Sequence, residues 1–239
     1  MANLLIEMGN TALKAAWSEG NTLGKTVRYQ GEKFIEFIYA LVEKEKPEVF
    51  VMATVRDLSK QDEEFLAGIC KRFVLINTSN QALFRAYQLP EYLSPDRAAG
   101  IIAVRRLFQG KECLLFDFGT TLSIDFISRD GNYRGGNVSL GLRTRLKAVN
   151  RYARSLPLAN TPKEDIQLGT STLSGIEAGV LQGIKFEVDG YIAQNPESVI
   201  VFTGGDANYF SRLTKNSVFV VNNLVLMGLA TIAMDYEKD

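Results

Sequence analysis

The feature that most constrains this sequence is a repeat at long range. Residues 4–11 read LLIEMGNT and residues 114–121 read LLFDFGTT, an offset of 110 positions in a chain of 239. Both run Leu-Leu-apolar-acid-apolar-Gly-polar-Thr. Each encodes a short apolar strand that delivers a carboxylate at its end, followed by a glycine turn bearing hydroxyl or amide groups. A weaker echo pairs EVFVMATVRD at 48–57 with SVIVFTGGDA at 198–207, two β-rich runs that end in polar turns. A repeat of this length argues for two related α/β subdomains and against a solenoid, whose units span roughly 20–50 residues. The expected division is 1–110 and 111–239.

Pattern and punctuation place the elements. Residues 3–8 and 12–18 read as a hairpin turning at Gly9-Asn10, and 113–118 with 122–128 as a second one. Phe34, Phe37, Ile38, Leu41 and Val42 fall at helical spacing within 31–45, with Pro47 marking the stop. A buried strand is expected at 48–54, a helix at 60–72 and a strand at 73–77. Pro95 suits a helix start, with the helix running from about Asp96 to Phe108. GNYRGGNVSLG at 131–141 reads as a glycine-rich loop, and 155–168, with Pro157 and Pro162, as a flexible excursion. Helices are expected at 142–154, 172–194 and 222–235, and a strand at 198–202. Strands followed by helices, twice over, argue for α/β architecture with mixed sheets.

Composition narrows the chemistry. The chain contains no histidine, which excludes Ser-His-Asp catalysis, histidine bases and histidine metal sites. Proton transfer must rest on Asp, Glu, Lys, Tyr or Cys. Lys and Arg together number 27, as do Asp and Glu, a balance that argues against a broad nucleic-acid or anionic-membrane surface. The two cysteines, Cys70 and Cys113, lie in apolar surroundings without metal-ligand spacing and read as buried reduced thiols. MANLLIEMGN lacks the basic segment and long apolar run of a secretory signal. No apolar stretch approaches the roughly 20 residues that span a bilayer. The expectation is a cytoplasmic protein with no membrane or nucleic-acid partner.

Four constellations carry candidate chemistry. In Glu7-Met8-Gly9-Asn10-Thr11, with Lys14, a strand end delivers an acid, Gly9 lets the backbone come close to a bound group, and Asn10, Thr11 and Lys14 add donors and charge. Such a turn suits phosphate oxygens, with the acid holding Mg²⁺ through water; taken alone, it also reads as a plain hairpin tip. Asp117-Phe118-Gly119-Thr120-Thr121 repeats the pattern, and two such hairpins facing one cleft would hold a triphosphate. Thr203-Gly204-Gly205-Asp206-Ala207 follows an apolar strand, where Gly-Gly suits close approach by a nucleotide and Asp206 suits a helix cap. Ser94-Pro95-Asp96-Arg97 is a helix start. Its Asp96 can be a cap residue or a base for a substrate hydroxyl, and Arg97 can clamp a phosphate or carboxylate.

Together these residues resemble the type III pantothenate kinase family. The family's D-x-G-N-T-x-x-K motif corresponds to Glu7-Met8-Gly9-Asn10-Thr11-Ala12-Leu13-Lys14, and its Y-x-x-P-x-x-L-G-x-D-R to Tyr87, Pro90, Leu93, Ser94, Asp96 and Arg97. Its D-x-G-T-A-T-T-x-D hairpin is matched by Asp117, Gly119, Thr120 and Asp125, and its G-x-Y-x-G-G by Gly131, Tyr133, Gly135 and Gly136. Its G-x-x-T is similar to Gly169–Thr172, and its late T-G-G-D-A matches 203–207. The motifs keep their order over nearly the whole chain.

The resemblance implies a duplicated actin-like ATPase (ribonuclease H-like) fold, with two subdomains of mixed five-stranded sheets and flanking helices. It implies ATP-dependent phosphorylation of pantothenate, the first step of coenzyme A synthesis, by a homodimer that needs Mg²⁺ and a monovalent cation, K⁺ or NH₄⁺. Asp96 would be the general base. Tyr87, Ser94, Pro95, Asp96, Arg97 and Thr172 would contact pantothenate. Glu7, Met8, Gly9, Asn10, Thr11, Ala12, Leu13, Lys14 and Thr120 would hold ATP, and Asp117 the monovalent cation. Three positions depart from the family pattern: Glu7 replaces Asp, Ser94 replaces Gly, and Leu122-Ser123 replaces Thr-Thr. They motivate two alternatives: a non-catalytic ATP-binding regulator of the same fold, and a kinase for another small hydroxyl compound.

Overall fold

In the computed structural model, which describes residues 2–237, the chain divides into two compact units. One is Met1–Leu107 with Asn223–Asp239; the other is Phe108–Asn222.

The first unit begins with β1 (Asn3–Met8), β2 (Leu13–Glu19), β3 (Thr22–Leu23) and β4 (Val27–Tyr29), then α1 (Phe34–Val42) and β5 (Val49–Thr54). It continues through α2 (Lys60–Gly68), β6 (Arg72–Ile76), α3 (Gln81–Ala86) and α4 (Pro95–Leu107). β1 pairs antiparallel with β2 and parallel with β5, and β5 pairs parallel with β6. The sheet order is β3-β2-β1-β5-β6, with β4 added on β2. All six residues of β5 are buried, as suits a central strand covered on both faces. Leu4, Ile6, Met8, Phe50 and Met52 form a core against Ile38 and Val42 of α1 and Leu66 of α2. Phe34, Phe37 and Leu41 pack at its margin, as does Trp17. The expected helical periodicity is thus present, although α1 ends at Val42 and α2 at Gly68, both earlier than expected. Ser59 caps α2 by accepting from the Asp62 N–H, the usual role of a serine at that position.

The second unit contains β7 (Cys113–Phe118), β8 (Thr121–Ile127), β9 (Tyr133–Leu140), α5 (Leu142–Tyr152) and α6 (Thr172–Gln194). β10 (Val199–Thr203), α7 (Ala207–Ser211) and β11 (Phe219–Val220) follow. Its sheet order is β11-β10-β7-β8-β9. β7 pairs antiparallel with β8 and parallel with β10, the same arrangement that β1 makes with β2 and β5. Both sequence echoes therefore fall on equivalent strands, β1 with β7 and β5 with β10. At the centre of this core Phe202 meets Phe116 and Phe118 edge-to-face and Phe118 stacks on Phe210, over Leu142, Leu146 and the buried face of α6.

The structure corrects the reading of 131–141 as a loop. Residues 133–140 form β9, an edge strand on β8. Glycine lowers strand propensity, but here it serves the pairing. Gly136 lies opposite Asp125, and Gly135 takes φ +126° beside a register shift at Phe126/Ile127. The 155–168 excursion carries no helix or strand.

After the second unit the chain returns to the first through α8 (Leu224–Glu237). The contact division therefore puts residues 223–239 with the first unit, where the sequence repeat placed them with the second. The cause is packing. Leu224, Leu226, Leu229, Ile232 and Ala233 are buried, and α8 lies on α4, β5 and β1. Gly228 makes this contact possible, since a Cβ there would meet the Ala99 carbonyl oxygen at 1.9 Å. Gly228→Ala should cost about 1–3 kcal/mol or more through overpacking, read as a lower midpoint in urea unfolding followed by far-UV circular dichroism.

Candidate active site

The first acidic turn is set by strand register. Glu7 and Lys14 are direct cross-strand partners at the turn end of the β1–β2 hairpin. Lys14 Nζ lies 3.1 Å from Glu7 Oε2 and 3.4 Å from Oε1. Met8 and Leu13 behind them are buried and anchor the turn in the core. The Gly9 N–H donates to the Ala12 carbonyl at 3.1 Å, leaving Asn10 and Thr11 exposed at the tip.

A residue not singled out from the sequence completes this turn. β5 runs beside β1, and just past its end the Val55 N–H donates to the Met8 carbonyl. The buried Thr54 hydroxyl then both accepts from the Arg56 N–H and donates to the Arg56 carbonyl, each at 2.9 Å. Arg56, fixed in this way, donates from Nε to the Gly9 carbonyl at 2.9 Å and from Nη2 to the Asn10 carbonyl at 3.0 Å. The available signal was the polar ending of the 48–57 echo, read only as a turn.

The expected substrate residues of the first unit lie around α3 and α4. Pro95 is the first residue of α4, and the Ser94 carbonyl accepts the Ala98 N–H at 3.0 Å. The half-buried Asp96 carboxylate accepts the Arg97 backbone N–H at 2.9 Å. Tyr87 follows α3, donating its hydroxyl to Asp235 on α8 at 2.8 Å while its carbonyl accepts from Arg105 on α4. Burial, with the Asp235 contact, pushes the Tyr87 phenol well above its ordinary range.

In the second unit the structure brings two motifs together. Asp117 is the penultimate residue of β7, and the next turn is one residue shorter than the first, since the Gly119 N–H donates to the Thr121 carbonyl at 2.9 Å. β10 pairs alongside with Thr203 opposite Asp117, and the Asp206 N–H donates to the Phe118 carbonyl at 3.1 Å. Gly204, at φ +94°, lies so close that a Cβ would stand 2.4 Å from Asp117 Oδ1. The Gly-Gly turn is thus molded onto the acidic hairpin. Asp206 precedes α7 without a side-chain capping bond. Burial raises its carboxyl pKa, an effect that Arg143 opposes. The Thr120 carbonyl accepts from the Gly141 N–H at 3.0 Å and from the Thr144 hydroxyl at 2.7 Å. Asp125 is fully buried one strand over and accepts from the Tyr133 hydroxyl at 3.1 Å. Thr172 is the first residue of α6, behind a reciprocal Ser171–Ser174 capping box. Both cysteines are buried, and burial pushes each thiol to about 11.

The expected sets are therefore distributed by unit. Glu7–Lys14, Tyr87 and Ser94–Arg97 belong to the first, and Asp117, Thr120 and Thr172 to the second.

One strand order used twice, each time presenting an acid and a glycine turn, defines a duplicated α/β ATPase fold of the actin and sugar-kinase class. Over 100% of this chain and 96% of theirs, the structure is similar to the activator of 2-hydroxyisocaproyl-CoA dehydratase from Clostridium difficile with bound ADPNP (TM-score 0.56, 13% identity). It is also similar to a ROK hexokinase from Thermus thermophilus, at TM-score 0.52 and 14% identity over 99% of this chain and 100% of that one. The pattern of the type III pantothenate kinase family matches residues 3–194, and the chain belongs to that family. It is 34% identical to the type III pantothenate kinase of Bacteroides fragilis over 96% of both chains. With that of Phocaeicola vulgatus it shares 33% identity over 99% of both.

Because Gly204 combines positive φ with contact to Asp117, Gly204→Ala should displace the carboxylate and destabilise the second unit by about 1–3 kcal/mol. A fall in the urea midpoint, with the Asp117 loop perturbed in a hydrogen-exchange map, is the expected result.

Proposed function

We propose that this protein phosphorylates pantothenate at the expense of ATP, the entry step to coenzyme A. The observation that carries the reading is family membership over residues 3–194, supported by two acidic glycine turns on equivalent strands.

The Glu7 turn takes phosphate oxygens through its backbone donors and Lys14, and Thr120 is a further nucleotide-binding residue of this reading. A single carboxylate beside phosphate donors suits Mg²⁺, which keeps several waters and takes one or two carboxylates together with substrate phosphates. Glu7 would hold it, and when bound it neutralises charge on the β- and γ-oxygens. Asp117, a hard oxygen donor seated against the Gly204 backbone, would hold K⁺ or NH₄⁺.

Phosphoryl transfer of this kind depends on positioning and charge neutralisation. Asp96 accepts the proton of the primary hydroxyl as that oxygen attacks the γ-phosphorus and ADP departs. In a chain without histidine, a carboxylate suits this step. Tyr87, Ser94, Pro95, Arg97 and Thr172 are the pantothenate-binding residues of this reading.

We place the reaction in the cytoplasm, where ATP is available. No described helix is long and apolar enough to cross a membrane. The working form is a homodimer. Leu168, Leu173 and Phe186 of the second unit expose large apolar side chains, a composition suited to covering by a second copy.

Asp96→Asn should cut turnover about 10²–10⁴-fold without altering the circular dichroism spectrum, measured by coupled ADP release. Near-normal turnover removes the base assignment. In the same assay, wild-type protein that binds ATP but releases no ADP with any acceptor is a regulator. Release with a different hydroxyl compound only is a kinase of another substrate. Light scattering should give twice the chain mass, and Phe186→Asp should shift the protein toward monomer; a wild-type monomer removes the dimer.

A further inference from the structure

We infer that Arg56 is the positioning residue of the phosphate turn, acting through the peptide backbone and without touching the nucleotide. The inference rests on the reading of the Glu7–Lys14 turn as a phosphate site and deepens it.

The argument follows from peptide geometry. In a trans peptide unit the C=O and the N–H of the next residue point in opposite directions. Arg56 Nε holds the Gly9 carbonyl at 2.9 Å and Nη2 holds the Asn10 carbonyl at 3.0 Å. Two consecutive carbonyls are thus drawn to one side. The N–H groups of Asn10 and Thr11, which share those peptide units, are turned to the other. Successive N–H groups facing one way form an anion-binding concavity, and this one lies at the exposed tip of the turn.

Charge adds to geometry. A cation bonded to a carbonyl polarises the peptide unit and strengthens its N–H as a donor. A planar guanidinium with donors in a fixed fork spans two neighbouring carbonyls, which a lysine ammonium does less well. Arg56 is itself fixed by the two Thr54 hydroxyl bonds to its backbone, so little side-chain and backbone freedom remains to be lost on binding.

The second acidic turn supports the assignment. By the sequence echo, Thr120 stands where Asn10 stands. Its carbonyl is also held from behind, by the Gly141 N–H and the Thr144 hydroxyl. The two turns keep the same carbonyl in place by different chemistry. The first uses a charge.

The test compares ADP with adenosine, which differ by the diphosphate. Binding of each is measured by calorimetry for wild type, Arg56→Ala and Arg56→Lys, alongside KM for ATP and for pantothenate. Arg56→Ala should weaken ADP and raise KM for ATP by about tenfold or more, the scale of hydrogen bonds to a charged group. Adenosine affinity and KM for pantothenate should stay within about twofold, because neither depends on the turn's N–H groups. Arg56→Lys should fall between, and it serves as the readout if the alanine variant does not fold. A wild type that prefers ADP, with Arg56→Ala keeping that preference, overturns the role of Arg56 alone. So does Arg56→Lys behaving as wild type, or equal weakening of ADP and adenosine. A wild type that binds ADP no better than adenosine removes the phosphate reading and this role together.

Discussion

Both acidic turns depend on one constraint: a buried strand paired antiparallel on one side and parallel on the other. β1 lies between β2 and β5, and β7 between β8 and β10. The antiparallel partner supplies a hairpin whose tip projects from the sheet. The parallel partner ends at the same edge, so the turn after it falls beside that tip. Side-chain register places the acid one residue before the last strand position in each case, at Glu7 and Asp117. The apolar residues on either side, Ile6 with Met8 and Phe116 with Phe118, are buried. A slip by one residue would put the carboxylate in the core and an apolar side chain at the tip. Burial of the strand therefore sets the position of the chemistry.

The same constraint explains why the parallel neighbours matter as much as the hairpins. In the first unit the neighbour delivers Arg56 to the back of the turn. In the second it delivers Gly204 to the Asp117 carboxylate. These devices are opposite in kind. One fills space behind the turn with a charged fork; the other removes a side chain so that backbone can approach. Duplication has kept the scaffold and let the supports diverge, as expected where packing fixes the strands and only the loops are free to vary.

Much of this was legible in the sequence because it rests on local pattern. The two hairpins, the Pro95 helix start and the long helix at 172–194 follow from periodicity and punctuation, and the structure has them at those positions. Four features escaped for physical reasons. β9 hides behind glycines, which lower strand propensity, although Gly136 pairs opposite the buried Asp125. α3 is a single short helix, held by tertiary contacts more than by its own periodicity. The return of α8 to the first unit is a long-range packing choice, carried by the absence of a side chain at Gly228. Arg56 escaped because a polar residue after a strand usually marks only a turn. Its partners are two carbonyls 47 and 46 positions earlier.

The replacement of the family's aspartate by Glu7 can be read in the same physical terms. Glu7 and Lys14 face each other across the hairpin, and both carboxylate oxygens lie within 3.4 Å of Nζ. A glutamate carries its carboxylate one methylene further from β1, which brings it over the lysine on β2. Lys14 has three donors, so engagement with Glu7 leaves it further donor capacity. The first turn then holds two cations in different roles. Lys14 is aligned by the acid across the hairpin, and Arg56 is bonded to the Gly9 and Asn10 carbonyls. The longer acid thus holds the lysine of the partner strand in place.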